Sequence, residues 1–397
     1  MPRSIPALVK PALLIWARDR AGLPLEEAAS KAGIESEQLR RWERGHDRPS
    51  ISQLRKLGQI YKRPLAVFFL SEPPQGFDPQ SEFRRLPGLT PQTESPALRL
   101  ALRTALFRRE AARELYERLN EPITECRVAA NPNEDEELVG ERVREALGIT
   151  WEAQLNWPVQ PPHYFALNTW RSAVERQGVL VFQTGDVELT EMRGTSIPHG
   201  PLPAILLNNN DAPLGRVFTI IHEFVHILLA NGGHRTSAME GRWLPEDRLL
   251  ERVSNRFAAA ALMPKREFLA EASNHPAAFA GDDEGLKRFA NRIKVSPEAI
   301  LRRLLSLHRV SPSTYRQKRQ AWQRRSWYSP SLTAGGPSIQ VRRVAEIGRP
   351  FIALVLEGYQ RNAVSSSDVA DYLGVQLKYV DRIANELVTA PGAAAVA

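Results

Sequence analysis

Cysteine is nearly missing from this chain, since Cys126 is the only one in 397 residues. A single cysteine excludes an internal disulfide and fits a reducing compartment. The N-terminal residues 1–10 lack the apolar core of a secretory signal peptide. No apolar run approaches the roughly 20 residues that a membrane-spanning helix needs. These absences predict a cytoplasmic protein with no membrane partner.

The chain also has no excess of acidic residues. The chain has 53 Lys and Arg against 45 Asp and Glu, a net charge of +8 and a sequence pI of about 9.7. This balance favours anionic partners, with nucleic acid first among them. The length allows two or three domains, and 43% hydrophobic with 25% charged residues is ordinary for a folded protein.

The apolar stretch of residues 216–230 contains the pattern H-E-x-x-H at His222, Glu223 and His226. On a helix, positions i and i+4 share one face, so both imidazoles can reach one metal ion and Glu223 can reach a water bound to it. The alternative is two satisfied core histidines and a surface glutamate. The helix has three boundary signals: an N-cap at Asp211, a first-turn proline at Pro213 and an Asn-Gly-Gly stop at 231–233.

The stretch of residues 245–264 predicts a second helix, because proline stands at each end. Glu251 shares one face with small residues that would let this helix approach another closely. Glu251 is therefore the best third ligand of a zinc site that keeps a water in its fourth position. A solvated Glu251 is the alternative, and manganese is open beside zinc because His/His/Glu ligation accepts several divalent ions. The fallback ligands are Glu246, Asp247 and Glu240.

Several short motifs carry a resemblance to a known family. They are FTIIHEFVH at 218–226, ERVSNRFAA at 251–259, LMP at 262–264, VSP at 295–297 and LRRL at 301–304. Over roughly residues 170–310 the chain resembles the ImmA/IrrE-family metallopeptidases, departing from them at Val225, where relatives usually have Gly or Ala. The resemblance implies a zincin-like domain that cleaves a specific protein, typically a helix-turn-helix repressor.

The helical spacing of apolar residues in the first 70 residues predicts a bundle of short helices. A turn is expected at Gly33, where glycine gives the backbone the freedom it needs. Residues 1–65 hold 13 Lys and Arg against 7 Asp and Glu, most of the excess charge of the chain. The sequence WERG at 42–45, followed by RPS at 48–50, resembles the Cro/C1-type helix-turn-helix domain. The predicted helices are 7–21, 25–32, 36–44, 51–61 and 64–69.

By this resemblance, residues 36–44 form the recognition helix in the major groove. The implied DNA-binding residues are Ser36, Glu37, Arg40, Arg41, Arg44 and Arg48, of which Glu37, Arg40 and Arg41 face base edges and the last two face phosphates. Glu35 and Glu37 would repel phosphate at this end of the helix. A helical module that binds protein or positions the peptidase is therefore the alternative.

The predicted fold class is mainly α with a small β-sheet (α+β). The predicted domains are a helix-turn-helix domain at 1–70, a linker at 71–96, a helical connector at 97–175, a zinc metallopeptidase domain at 176–310 and a C-terminal helical, helix-turn-helix-like unit at 335–390. Outside the first domain we expect helices at 97–119, with a solvated arginine face (Arg103, Arg108, Arg109, Arg113), and at 134–147, 168–176 and 341–360, the last unbroken.

Strands are predicted at 178–182 and 203–208, with an edge strand between them at about 190–196. In zincin-like peptidases such an edge can bind the substrate backbone by strand addition. We assign this role to Arg193, Gly194 and Thr195. No tyrosine lies between residues 165 and 310, which leaves His234, Arg235 and Arg193 as speculative oxyanion donors.

These patterns predict a zinc-dependent endopeptidase coupled to DNA binding in transcriptional regulation. Glu223 would take a proton from the metal-bound water and deliver it to the leaving amine. The expected partners are DNA, a repressor as protein substrate, the product of a neighbouring gene and a second copy of the chain in a homodimer. The alternative function is a non-proteolytic, antitoxin-like DNA-binding regulator whose metal site is structural or sensory.

Overall fold

A computed structural model describes residues 7–61, 63, 65–70, 72, 95–159, 164–234, 245–279, 282–324 and 338–389. They fall into two compact units, one holding the described residues up to 104 and the other those from 105 onward. Helices dominate both units, and the described residues form one small sheet of three strands. The predicted class, mainly α with a small β-sheet, is therefore confirmed.

The first unit is a bundle of short helices around a compact apolar core. They are α1 (Pro11–Ala21), α2 (Leu25–Ala32), α3 (Ser36–Glu43), α4 (Ile51–Tyr61) and a 3-10 helix, Leu65–Phe69. The predicted helices are confirmed, although α1 starts at Pro11 and the last is a 3-10 helix. Gly33 between α2 and α3 has a φ of 65°, the left-handed conformation that favours glycine. Arg18 on α1 fixes α3, since its Nε donates to the buried Glu43 Oε1 at 2.7 Å.

The second unit contains the sheet, a set of packed helices and the part of the long helix Pro96–Leu119 from residue 105 onward. The strands are β1 (Leu180–Thr184), β2 (Gly194–Ile197) and β3 (Ala204–Asn208). The helices are α5 (Pro96–Leu119), α6 (Glu136–Leu147), α7 (Trp151–Asn156), α8 (Tyr164–Arg176), α9 (Pro213–Asn231), α10 (Pro245–Leu262), α11 (Lys265–Ser273), α12 (Pro276–Phe279), α13 (Asp283–Ile293), α14 (Pro297–Ser306), α15 (Pro312–Arg324), α16 (Ile339–Ile347), α17 (Arg349–Gln360), α18 (Ser366–Leu373) and α19 (Val380–Thr389), with a 3-10 helix at Leu377–Tyr379.

The sheet has the order β1-β3-β2, with β3 parallel to β1 and antiparallel to β2. β1 and β3 are buried along their whole length, as expected from their nearly continuous apolar sequences. β2 alternates, burying Thr195 and Ile197 while Gly194 and Ser196 are partly exposed. Because β2 is paired with β3 on one side only, it forms one edge of the sheet, as the sequence predicted.

Helix α9 carries the H-E-x-x-H pattern through the centre of the core. It is 19 residues long, and by length and composition alone it is apolar enough to span a membrane. The sequence analysis predicted that no apolar run reaches this length, so that prediction was wrong for this helix. Most of it is buried inside the fold against the sheet and neighbouring helices. Its apolar residues therefore serve the packing of the second unit.

The C-terminal helices fold back against α5, α8 and β1, and this contact overturns two expectations. The helix predicted at 341–360 is broken at Gly348, whose φ is 90°. The break lets Arg171 on α8 donate from Nη1 to Ala345 O at 2.6 Å. Arg108 and Arg109 on α5 are buried rather than solvated, the first donating to Tyr372 O at 3.3 Å and the second to the carbonyls of His199 and Pro201. These partners are far apart in sequence, so no local pattern indicates them.

Candidate metal centre and nucleic-acid interface

Helix α9 is placed by a proline at its start and a glycine after its end. Pro213 occupies the first turn, and Gly232 is the C-cap. The N-cap is Ala212 rather than the predicted Asp211, whose Oδ1 instead accepts a hydrogen bond from Ala212 N at 2.8 Å. His222 and His226 lie near the middle of this rigid helix and point the same way.

The side chains of His222, His226 and Glu251 converge on one point. Both imidazole Nε2 atoms face the Glu251 carboxylate, at 3.5 Å from His222 to Oε2 and 2.9 Å from His226 to Oε1. The two Nε2 atoms are 3.1 Å apart. Glu251 reaches them from α10, so α9 and the next described helix along the chain supply the cluster. The structure thus brings together the three residues that the sequence singled out.

The spacing of these donor groups is compatible with a small divalent cation. Ligands about 2.0–2.1 Å from a tetrahedral zinc lie roughly 3.3 Å apart. Each imidazole Nε2 lies near that distance from one oxygen of Glu251, Oε2 for His222 and Oε1 for His226, and one donor atom from each of the three residues lies within 4.8 Å of the others. Two imidazole nitrogens and one carboxylate oxygen are also a donor set that zinc accepts, as does manganese. Two neutral imidazoles that face each other through their Nε2 lone pairs repel, and a shared cation removes that repulsion. The residues therefore fit a metal.

The charge state of the cluster points the same way. Burial lowers the pKa of His226, but its hydrogen bond to Glu251 and the nearby carboxylates outweigh burial and raise this pKa overall. Burial would raise the pKa of Glu251, yet the two histidines lower it. In the absence of a cation, a proton on His226 compensates the carboxylate. A metal ion would displace that proton.

Glu223 lies beside the cluster without being part of it. Its side chain is only 7% exposed, and burial raises the pKa of its carboxyl group, against the opposing effect of the two histidines. The nearby Ser196 hydroxyl on β2 also opposes the effect of burial and lowers the pKa of this carboxyl group. Burial favours the protonated form of Glu223, while Ser196 and the histidines favour the carboxylate, which suits a group that takes up and returns a proton.

The open edge of β2 runs next to this glutamate. A Cβ atom at Gly194 would lie 2.3 Å from Thr219 Cγ2 and 3.4 Å from Glu223 Cγ, so glycine is required for the close approach of β2 and α9. Asn208 N donates to Arg193 O at 2.8 Å, which places residues 193, 195 and 197 in register for hydrogen bonds to β3. The backbone groups of Gly194 and Ser196 consequently face the unpaired edge.

The other predicted candidates lie outside this arrangement. Arg193 is exposed and pairs with Asp211 at 3.6 Å, and Thr195 is buried on the face away from Glu223. His234 lies beyond the C-cap of α9, and its Nε2 contacts Asn131 Oδ1 at 3.0 Å rather than the cluster. Glu246 is exposed and Asp247 is buried outside the cluster, while Glu240 and Arg235 fall outside the described residues.

Three contributors were missed by the sequence reasoning. Ser196 is one, since only the sheet register brings it to Glu223. Asn255, one turn after Glu251, is the second: its Nδ2 donates to Glu251 O at 2.7 Å and its Oδ1 accepts from Arg302 Nη1 at 2.9 Å. The third is Gln183 on β1. Asn255 stands in the family-like motif, but no spacing rule indicates its link to Arg302.

Gln183 links α9 to the C-terminal helices inside the core. Its Oε1 accepts from Arg216 Nη1 on α9 at 2.5 Å, and its Nε2 donates to Ala345 O on α16 at 2.9 Å. Gln183 and Arg216 are both buried, so neither group can turn to water. The start of the helix that carries His222 is thus tied to the C-terminal segment.

We expect Gln183→Leu to lower the free energy of unfolding by about 2–4 kcal/mol, because the buried Arg216 guanidinium loses its acceptor. Urea unfolding of the full chain measures this loss. Gln317→Leu, on the exposed face of α15, is the control and should change stability by less than about 0.5 kcal/mol. Equal stabilities of the two variants would show that the Gln183 link contributes nothing.

The implied DNA-binding residues are all at least partly exposed. Glu37, Arg41, Arg44 and Arg48 are exposed, and Ser36 and Arg40 are partly exposed. Leu39, Trp42 and Glu43 on the opposite side of α3 are buried. Arg41 lies 3.8 Å from Asp47, and Arg40 pairs with Glu37. The outward face of α3 is therefore predominantly basic, with one carboxylate in its first turn.

Comparisons with known proteins agree with this division. Residues 174–305 match the model of the family described as the IrrE N-terminal-like domain (Peptidase_M78), and residues 14–68 match the helix-turn-helix family HTH_3. A search of curated proteins finds no match. A solved structure of a Mycobacterium tuberculosis transcriptional regulator matches at 18% identity with a TM-score of 0.30, covering 50% of this chain and 51% of that one. The match spans about half the length of that protein, and at this level of similarity it indicates neither fold nor function.

Proposed function

We propose that this chain, which joins a helix-turn-helix domain to an IrrE N-terminal-like domain, is a DNA-binding regulator that acts as a zinc-dependent endopeptidase on a specific protein. The observation that carries the proposal is the convergence of His222, His226 and Glu251 within 4.8 Å of one another, with the buried Glu223 beside them. An exposed sheet edge next to this cluster supports a peptide, rather than a small molecule, as the substrate.

The residues of the cluster have separate roles in the proposed reaction. His222, His226 and Glu251 would hold the zinc, which when bound polarises a peptide carbonyl and acidifies water. Glu223 accepts a proton from the attacking water and delivers it to the leaving amine. Ser196 keeps the Glu223 carboxylate oriented through its hydroxyl group. Asn255 orients Glu251 through its backbone carbonyl.

The substrate is proposed to add to β2 as a further strand. Ser196→Pro tests this, because it removes an N–H that faces the open edge without removing a hydrogen bond to β3. We expect a loss of at least ten-fold in kcat/KM for peptide cleavage, with zinc content unchanged. A proline at Gly194 would be a poorer test, since any side chain there collides with Thr219 on α9.

Ser196→Ala is the matched control for this experiment. It removes the hydroxyl group near Glu223 but keeps the N–H on the open edge. Cleavage by Ser196→Ala should therefore stay well above that of Ser196→Pro. Equal cleavage by the two variants would rule out backbone pairing at this edge.

The proposed target is a helix-turn-helix repressor, whose cleavage would turn genes on. The resemblance to ImmA/IrrE proteins supports this class of substrate, and the helix-turn-helix domain supports a site of action on DNA. A peptidase held at the operator meets its repressor at a high effective concentration. The repressor could be the product of a neighbouring gene, and a homodimer would match a palindromic operator. All of this chemistry takes place in the cytoplasm in our proposal.

Mapping of new protein N-termini in cells tests the proposed function. Cells that produce the wild-type chain should show one or a few new N-termini inside a helix-turn-helix protein, and cells that produce Glu223→Gln should not. Identical N-termini in both cultures would overturn the peptidase proposal. A protein that still bound metal and DNA would then be a non-proteolytic regulator with a structural or sensory metal.

A further inference from the structure

The first turn of the recognition helix α3 carries a carboxylate where DNA is expected. Glu37 is the second residue of α3, and its side chain is 63% exposed. In helix-turn-helix domains the N-terminal residues of the recognition helix contact base edges. A carboxylate at this position repels the phosphates on both sides of the groove. A base edge that donates a hydrogen bond to it would offset this repulsion.

Glu37 is paired with an arginine on the same face. Arg40 Nη1 donates to Glu37 Oε2 at 2.6 Å, and Arg40 Nη2 lies 3.6 Å from Glu26 Oε1 in the first turn of α2. Two carboxylates thus hold the Arg40 guanidinium at the N-terminal end of α3. Arg44 and Arg48 are more exposed and would supply the phosphate contacts. Arg40 is therefore placed for base edges together with Glu37.

The pair offers an acceptor and donors side by side. A carboxylate only accepts hydrogen bonds, and a guanidinium only donates them. In the major groove the donors are cytosine N4 and adenine N6, while guanine alone offers two adjacent acceptors, O6 and N7, to the parallel N–H groups of arginine. A C·G base pair has its donor at one side and both guanine acceptors together at the other. An A·T pair places its donor between its two acceptors, which prevents the bidentate contact.

We infer that Glu37 and Arg40 together read one C·G base pair of the operator. Glu37 accepts from cytosine N4, and Arg40 donates to guanine O6 and N7. The cytosine donor offsets the repulsion between the carboxylate and the phosphates, so an acidic residue at the DNA-facing end gives base selectivity. This inference rests on the proposed DNA-binding function, and it assigns the base pair that the outward face of α3 selects.

Selection from a random duplex library tests the inference, since it identifies the preferred sequence and any change in it together. The full-length wild-type chain, Glu37→Gln and Glu27→Gln are each used for selection. Glutamine pairs with adenine N6 and N7, so Glu37→Gln should lower the preference for C·G over A·T at one position by about ten-fold. Glu27→Gln removes the same charge from an exposed residue of α2 that pairs with Lys31, and it should select the wild-type sequence.

Arg40→Lys is the second variant, because lysine keeps the charge but loses the bidentate contact. Its selected sites should lose guanine at the position that Glu37→Gln changes, while affinity for an unrelated duplex stays at the wild-type level. Selected sites that are the same for wild type and Glu37→Gln overturn the inference alone. A wild-type chain that enriches no sequence at all overturns both the inference and the proposed DNA-binding function.

Discussion

Glu223→Gln is expected to abolish peptide cleavage while the metal stays bound. Glutamine fills the same space and can still accept from the Ser196 hydroxyl, but it cannot take a proton from water. General base catalysis contributes about 10²–10⁴-fold, so a loss of at least about a hundred-fold in kcat is expected. Glu223 is not among the three converging side chains, which is why metal content should not change. Single-turnover cleavage of the target found by N-terminal mapping measures the loss.

The control for this substitution is Glu284→Gln on α13. Glu284 is exposed and pairs with Lys287 at 2.6 Å. The substitution is chemically the same, but position 284 is far in sequence from His222 and His226. Cleavage by Glu284→Gln should match that of the wild type. If Glu223→Gln also cleaved at that rate, the proposed base would be wrong even with zinc in place.

Glu251→Ala is expected to have the largest effect on the metal itself. Zinc binding of about 10–16 kcal/mol through four ligands implies roughly 3 kcal/mol per ligand, or at least about a hundred-fold in affinity. The substitution also leaves two imidazole Nε2 atoms 3.1 Å apart without the carboxylate that faces them. Competition with a chelating dye measures the affinity for zinc.

Glu246→Ala separates the third ligand from the alternatives in the same helix. Glu246 lies in the first turn of α10 and is exposed, and it was a fallback ligand on sequence grounds. Its removal should leave zinc affinity at the wild-type level. A loss of affinity in Glu246→Ala and none in Glu251→Ala would show that α10 presents a different carboxylate to the histidines.

The cluster of His222, His226 and Glu251 could be predicted because its signals are local. The i, i+4 spacing of His222 and His226 sets their common direction, and the prolines around α10 place Glu251 in a helix. The predicted N-cap was one residue early because Pro213 at the first turn makes Ala212 the cap. Glu251 was preferred over Glu246 through the small residues around it, which allow α10 to pack closely against α9.

The supporting contacts could not be predicted because their partners are distant in sequence. Ser196 reaches Glu223 through the register of β2, and Arg108 reaches Tyr372 across more than 260 residues. The break at Gly348 is different, because a local signal for it exists. Gly348 ends α16 with a φ of 90°, and Pro350 stands in the first turn of α17, an arrangement that favours a helix boundary over the unbroken helix predicted at 341–360.

The C-terminal helices differ in charge from the first unit. Residues 366–389 carry two basic residues, Lys378 and Arg382, against four acidic ones, namely Asp368, Asp371, Asp381 and Glu386. The turn between α18 and the 3-10 helix resembles a helix-turn-helix, with Gly374 in the left-handed conformation. The acidic excess does not favour DNA. Packing against α5, inside the second unit, is the role that the hydrogen bond from Arg108 to Tyr372 O supports.

Metal content of the purified wild-type chain tests the central claim most directly. The full-length protein is loaded with zinc, freed of excess metal by gel filtration and measured by inductively coupled plasma mass spectrometry. We expect about one zinc per chain, and loss of that zinc when Glu251→Ala is treated in the same way. A wild-type chain that retains neither zinc nor manganese would contradict the proposal, and would leave His222 and His226 as core residues that hydrogen-bond Glu251.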